Sequence, residues 1–117
     1  MIEPGVAMYW FGADLYYANV NHFVEQANLL VSQPPAPLHW LVVDASAITD
    51  LDFTAAQALI ELRKDLSQKD VALALARVNA NLKAKLDRQG VTPVIGSEHI
   101  FSSRKHCLKA CRGLATR

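Results

Sequence analysis

Leu41-Val42-Val43-Asp44-Ala45-Ser46-Ala47-Ile48-Thr49-Asp50-Leu51-Asp52-Phe53-Thr54-Ala55-Ala56 is the stretch whose reading decides the fold. Together with Trp40, its first residues form a continuous apolar run of strand length that stops on Asp44, which fits a central strand covered on both faces. The chain then passes two further carboxylates, Asp50 and Asp52, and reaches Thr54 as a new apolar period begins. Ala55, Leu59, Leu62 and Leu66 recur at helical spacing, so Asp52 or Thr54 opens a helix. A helix N-terminus presents unpaired N–H groups and the positive end of the dipole, so a hydroxyl placed there can carry a phosphate. That is the chemistry of a switch, not of turnover. The alternative for Thr54 is a plain helix cap, worth about 1 kcal/mol.

Reading outward toward the N-terminus, Val6 to Gly12 alternates as a strand, with Val6, Met8 and Trp10 on one face and Ala7, Tyr9 and Phe11 on the other. Val20, Phe23, Val24, Ala27, Leu30 and Val31 follow a helical stripe that Asn19 or Asn21 is placed to cap. Ser32-Gln33-Pro34-Pro35-Ala36-Pro37 then makes a loop, since proline removes a donor and biases its predecessor away from helix. Reading toward the C-terminus, the Leu66 helix ends near Lys69, and Val71 to Val78 reads as a buried strand. Asn79 or Asn81 caps a helix carrying Leu82 and Leu86, and Gly90 sits where a left-handed residue ends it. A last helix runs from about Ser103 to Cys111, after Ile100 and Phe101. The alternation of strand and helix implies an α/β sandwich with parallel crossovers.

Composition bounds the function. The 117 residues are 51% hydrophobic, enough for one domain with its own core. No apolar run approaches the roughly 20 residues needed to span a bilayer, and the first four residues lack the pattern of a signal peptide, so the chain as given reads as soluble and cytoplasmic. Residues 1 to 62 hold seven Asp or Glu and no Lys or Arg, whereas residues 63 to 117 hold all twelve basic residues and four acidic ones. Interleaving of strands and helices can mix these again in space. The basic residues are not interleaved with aromatics, which disfavours nucleic acid.

No catalytic constellation is legible. His22, His39, His99 and His106 are scattered, and no nucleophile has an orienting base at readable spacing. Asp44, Asp50 and Asp52 read as caps and solvated loop residues and not as a metal site. Cys107 and Cys111, four apart on the last helix, read as buried small hydrophobes and not as a disulfide or zinc ligands. A phosphate-binding glycine loop is missing, so a nucleotide would have to use the helix N-terminus near Thr54.

The turn Asp52-Phe53-Thr54-Ala55, following a strand that ends on Asp44, resembles the Asp-Ser/Thr-Ser/Thr-Gly turn of STAS domains, the family of sulfate-transporter C-terminal domains and anti-sigma-factor antagonists. Phe53 and Ala55 replace the small polar residue and the glycine usual there. Pro4 to Phe11, followed by Leu15-Tyr16-Tyr17-Ala18-Asn19, looks like the opening strand and turn of the cytoplasmic domain of SulP-type anion transporters. Leu73 to Asn81, with Leu82, Leu86 and Gly90, and then His99-Ile100-Phe101, are similar to later segments of the same domain. Trp10, Gly12 and Asp14 depart from the Arg, Asp and Pro frequent at those positions.

The resemblance implies an α/β fold of STAS type, with a mixed sheet of four to five strands and about four helices, over residues 4–111, followed by a short basic tail at 112–117. It implies a non-catalytic regulatory domain of a sulfate or anion transporter, placed at the inner face of the membrane beside the transmembrane part and open to protein regulators. A free-standing antagonist phosphorylated at Thr54 is the alternative, and a nucleotide-binding STAS domain is a third. The regulatory loop is then Asp44, Ser46, Asp50, Asp52 and Thr54, with no metal and no required cofactor. Tyr9, Trp10, Tyr16 and Tyr17 crowd the first strand and the turn after it. Large aromatics at a sheet edge favour contact with another chain, so they form a candidate edge for a weak homodimer.

Overall fold

In a computed structural model, residues 5–32 and 38–115 are described, without the side chains of 113–115. The proline loop expected at 33–37 lies outside the described residues. Three strands, β1 (Val6–Trp10), β2 (Trp40–Asp44) and β3 (Ala72–Ala76), form a parallel sheet in that order. Their register aligns Trp10, Asp44 and Ala76 along one edge. As its unbroken apolar run requires, β2 is central, and all five of its residues are buried.

Two crossover helices, α1 (Val20–Ser32) and α2 (Phe53–Gln68), pack with Ala7, Leu41, Val43, Leu73 and Leu75 in one core. Both therefore lie on the same face, as two crossovers of one hand must when the strand order advances in a single direction. Their buried residues are those of the expected stripes: Val20, Phe23 and Ala27 on α1, and Ala55, Leu59, Leu62 and Leu66 on α2, joined by Ala56. Next come α3 (Ala80–Arg88) and a single-turn helix α4 (Thr92–Ile95), which close that core with Leu82, Leu86 and Ile95. The opposite face carries α5 (Arg104–Ala115), whose Cys107 and Cys111 pack against Val6, Trp40, Val42, Ala74 and Ala76. The alanines of β3 are small enough to let this helix approach closely.

Three details differ from the sequence expectation. Among the described residues the sheet has three strands, all parallel, where four to five in a mixed sheet are expected. Ile100 makes only a single bridge to Leu75. Between the 3-10 turn Ser97–His99 and the opening of α5 there is too little apolar chain for a strand. β3 also stops at Ala76, because Arg77 adopts φ 58° and turns the chain out of the ladder.

Among the described residues the helices number five, with α4 added and α5 running on through Ala115. A four-residue helix whose only buried residue is Ile95 shows no periodicity to read. The caps resolve as well. Asp52 caps α2 by accepting from the Ala55 N–H at 2.9 Å, and Asn79 caps α3 by accepting from the Leu82 N–H at 2.8 Å. Asn19 instead turns back, accepting from the Tyr16 N–H and donating to the Asp14 carbonyl, so it fastens the turn before α1. Gly90 takes φ 76° just past α3, as its position demands.

Candidate functional site

Parallel strands deliver their following loops to one edge of the sheet, and here the segments after β1, β2 and β3 meet beyond Trp10, Asp44 and Ala76. The first two are joined by a bridge between Leu15 and Leu51, made by the Leu15 N–H to the Asp50 carbonyl and the Asp52 N–H to the Leu15 carbonyl, each 3.1 Å. Both leucines are buried, so the loop is pinned from below by apolar packing. The Asn79 amide donates to the Ile48 carbonyl at 3.1 Å and ties in the third segment.

Each carboxylate of the loop has a structural task. Asp44 is buried; it accepts from the Ser46 N–H at 3.0 Å and pairs with the Arg77 guanidinium at 3.3 Å, which locks the end of β2 to the end of β3. Because the Arg77 side chain is 52% exposed, this single contact is worth no more than about 1 kcal/mol. Asp50 accepts from the Tyr16 hydroxyl at 3.0 Å and the Leu51 N–H at 2.9 Å, and pairs with Lys85 of α3 at 3.2 Å. The Tyr16 hydroxyl first, and Lys85 next, hold the Asp50 carboxyl below its usual range. The same hydrogen bond raises Tyr16 above the usual phenol value. Asp52 divides its oxygens between the Ala55 N–H and, at 2.8 Å, the Tyr17 N–H.

The sequence reading did not include Asp14 in the site, yet one of its oxygens holds the loop's outer turn. That oxygen accepts from the Thr49 N–H at 2.6 Å, the Thr49 hydroxyl at 2.8 Å and the Asp50 N–H at 3.2 Å. A carboxylate 35 residues away from the turn it fastens leaves no local signal.

Thr54 is the second residue of α2; it is exposed, and its side chain makes no hydrogen bond among the described residues. It is not the cap, since Asp52 holds that position. Two aromatic residues at the start of α2 are exposed as well: Phe53, next to it in the chain, at 64%, and Tyr17, whose N–H is held by the Asp52 cap, at 73%. Phe53 stands two residues before the buried Ala55, about 200° around the helix, which is the signal that it faces outward.

Of the four rings expected at an interaction edge, Trp10, Tyr16 and Tyr17 are exposed, but Tyr9 belongs to the core. The Tyr9 ring stacks on Phe23 at 5.2 Å, its hydroxyl donates to the Phe23 carbonyl at 3.3 Å, and burial raises its pKa. Alternation placed it correctly on the face of Ala7 and Phe11, and that face turns out to be the covered one.

The loop carboxylates point at N–H groups, a hydroxyl and cations, and among the described residues no group of His, Cys, Asp or Glu is arranged to hold a metal. An open groove of about 410 Å³ runs beside them, lined by Asp14, Tyr16, Thr49, Asp50, Lys85 and Arg88 among others. Its two carboxylates offset its two cations, so it offers no net positive cradle for phosphates. Of the histidines, His39 and His99 line one open pocket of about 270 Å³ with Arg63, Ser67 and Asp70, His99 also packing edge-on to Trp40, while His22 is exposed and His106 pairs with Ser103. Cys107 and Cys111 are buried, and hydrogen bonding to Cys111 and then burial raise the Cys107 thiol above its usual value, which disfavours the thiolate.

The chain matches the STAS domain family over residues 2–107. It belongs to that family. A Mycobacterium tuberculosis protein described as a probable sulfate transporter is 33% identical to it over 109 residues, which cover 93% of this chain and 20% of that protein. The crystal structure of a sulfate transporter family protein from Wolinella succinogenes superimposes with a TM-score of 0.85 at 17% identity, covering 100% of this chain and 93% of that one. The STAS domain of a SulP transporter from Vibrio cholerae gives 0.78 at 16% identity, covering 100% and 89%. At such identities the two structures speak to the fold alone.

This STAS domain thus spans about a fifth of the length of the curated relatives it matches. The family match and the sulfate-transporter relatives agree with the resemblance to STAS domains of SulP-type transporters. No helix among the described residues is long and apolar enough to cross a membrane.

Proposed function

We propose that this STAS domain is the cytoplasmic regulatory part of a SulP-type anion transporter, acting through contacts of the loop from Asp44 to Thr54 and without catalysis. The observation that carries the reading is the contrast within the loop. Asp44, Asp50 and Asp52 are all committed to holding it in place, whereas Thr54, Phe53 and Tyr17 are presented outward on the rigid base they create. A surface of this kind recognises a partner and supplies no acid, base or nucleophile for turnover. The relatives' description as sulfate transporters makes the membrane-embedded part of such a protein the partner favoured here.

The exposure of Thr54 at the second position of a 16-residue helix also favours control by phosphorylation, whether the domain is joined to a transporter or stands free as an antagonist-like switch. A phosphate there adds a charge of about −1.5 to −2. The helix dipole attracts it and Asp52 and Asp50 repel it, so folding stability changes little while the charge offered to a partner changes greatly. Thr54→Glu is expected to keep thermal stability within about 1 kcal/mol of the parent while altering transport by the protein that carries the domain, or the domain's binding to its partner. Loss of folding would make Thr54 structural, and unchanged transport and binding would reduce the loop to a connection. Either outcome refutes the proposal.

A further inference from the structure

The two faces of the sheet are covered unequally. Four helices close the core on the side of Ala7, Leu41 and Leu73, but α5 alone serves the other side and packs chiefly over β3. Along β1 that second face opens progressively toward the C-terminal end: Val6 is buried, Met8 is half-buried and Trp10 is 59% exposed. An indole is left uncovered on the side of the sheet where α5 lies.

The outward side of α5 is cationic. Arg104, Lys105, Lys109 and Arg112 are all exposed, with Lys105, Lys109 and Arg112 at i, i+4 and i+7 along one stripe, while Cys107 and Cys111 are turned to the sheet. α5 itself carries these four cations and no Asp or Glu, Glu98 being the last acidic residue of the sequence. The acidic residues of the first half gather instead at the loop edge, as Asp14, Asp44, Asp50 and Asp52. The charge segregation seen along the sequence survives folding here as a basic α5 surface.

We propose that α5 and the uncovered end of β1 form a docking face for an anionic bilayer surface, with the α5 cations over lipid phosphate and carboxylate headgroups and Trp10 at headgroup depth. Charge complementarity selects this occupant: each Lys or Arg near an anionic leaflet gains about 1 kcal/mol, and a tryptophan ring is amphipathic in the way the headgroup region favours. Of the proposed function, the inference takes only that the domain works beside a membrane. Docking by α5 leaves the Thr54 loop free to meet a protein.

The two tryptophans make the test specific, because Trp40 is 5% exposed and Trp10 is the one that can change environment. Sedimentation with vesicles of phosphatidylcholine alone and of phosphatidylcholine with about a quarter phosphatidylglycerol, at about 0.1 M and about 0.5 M salt, is read together with tryptophan emission. The expected result is binding to the anionic vesicles only, weakened by the higher salt, with a blue shift that Trp10→Ala abolishes. Lys105→Glu with Lys109→Glu is expected to reduce binding at least about 25-fold. Lys64→Glu with Lys69→Glu, an equal charge change at exposed sites on and just past α2, is expected to reduce it far less. Absence of binding by a folded domain would assign the face to an acidic protein surface and overturn the proposal. Equal loss in the two charge pairs, or binding without a blue shift, would overturn it too. The Thr54 measurements need no lipid, so the two readings fail separately.

Discussion

Replacing Asp14 should loosen the loop from Asp44 to Thr54 more than its position 35 residues before Thr49 implies. One oxygen of this half-buried carboxylate receives three hydrogen bonds, two of them from backbone N–H groups that have no other partner among the described residues. Hydrogen bonds to a charged acceptor contribute roughly 1.5–3 kcal/mol each when well buried. Here two of the three are exposed, and water takes over part of each on deletion, so the net cost of Asp14→Ala comes to about 1–2 kcal/mol for the set. At about 4 °C per kcal/mol for a domain of this size, the midpoint of thermal unfolding falls by about 4–8 °C. Asp14→Asn keeps an acceptor oxygen and should cost half as much or less.

Urea titration supplies the free energies, and amide hydrogen exchange locates them. Protection at Thr49 and Asp50 should collapse in the Ala variant and partly survive in the Asn variant, with Leu15 and Asp52 weakened next because their bridge abuts the same turn. An Ala variant within about 0.5 kcal/mol of the parent, with Thr49 still protected, would refute the anchoring role. An Asn variant as damaged as the Ala variant would show that charge, and not the acceptor geometry, holds the turn.

Three other perturbations test separate parts of the account. Asp50 titrates below its ordinary value of 3.8 in the folded state, so its contribution is present above that pH and lost as pH falls through the lower folded value; Tyr16, raised above 10.0, loses its contribution as pH climbs through the higher value. The stability gap between the parent and Tyr16→Phe, measured by thermal unfolding against pH, should therefore close at both extremes and be open between them. Gly5 has φ 81° and an added Cβ would meet the His39 ring at 2.7 Å, whereas at Gly12 it would meet only the far end of the exposed Trp10 ring; Gly5→Ala should cost more than about 1 kcal/mol in urea titration and Gly12→Ala within about 0.5 kcal/mol, with altered Trp10 emission. Leu62→Ala, at a site with 0% exposure in the α2 seam, should cost about 2–5 kcal/mol in urea titration.

Legibility followed the reach of the signal. The stripes of α1 and α2, the buried run of β2 and the left-handed residue after α3 are local patterns, and each stood where it was read. The start of α2 was legible to within two residues, Asp52 or Thr54, because a cap acts across three residues, and the Ala55 N–H bond settles it as Asp52. The site beyond the cap is built from distant partners: Asp14 with Thr49, Tyr16 with Asp50, Lys85 with Asp50 and Arg77 with Asp44. None of these pairs has a fixed spacing, so the carboxylates could be named as a group but not given their tasks. Tyr9 shows the same limit in reverse: its place on the face of Ala7 and Phe11 was readable, but not which face Phe23 and α1 would cover. Ile100 and Phe101 are apolar, but with a 3-10 turn on one side and α5 on the other the segment makes a single bridge, from Ile100 to Leu75.

The tasks of those carboxylates bear on how the loop can signal. A loop held only by its own turns would respond to a phosphate by rearranging, and a partner would then read a new shape. In this domain Asp52 is spent on the α2 cap and the Tyr17 N–H, Asp50 on Tyr16 and Lys85, and Asp14 on the Thr49 turn. Moving any of them breaks at least two hydrogen bonds at once, whereas a charge added at the exposed Thr54 breaks none. The least costly response is for the frame to stay and the surface potential to change. On the function proposed above, the exposed rings of Tyr17 and Phe53 then supply a constant apolar contact, and a charge on Thr54 would select which partner that contact holds.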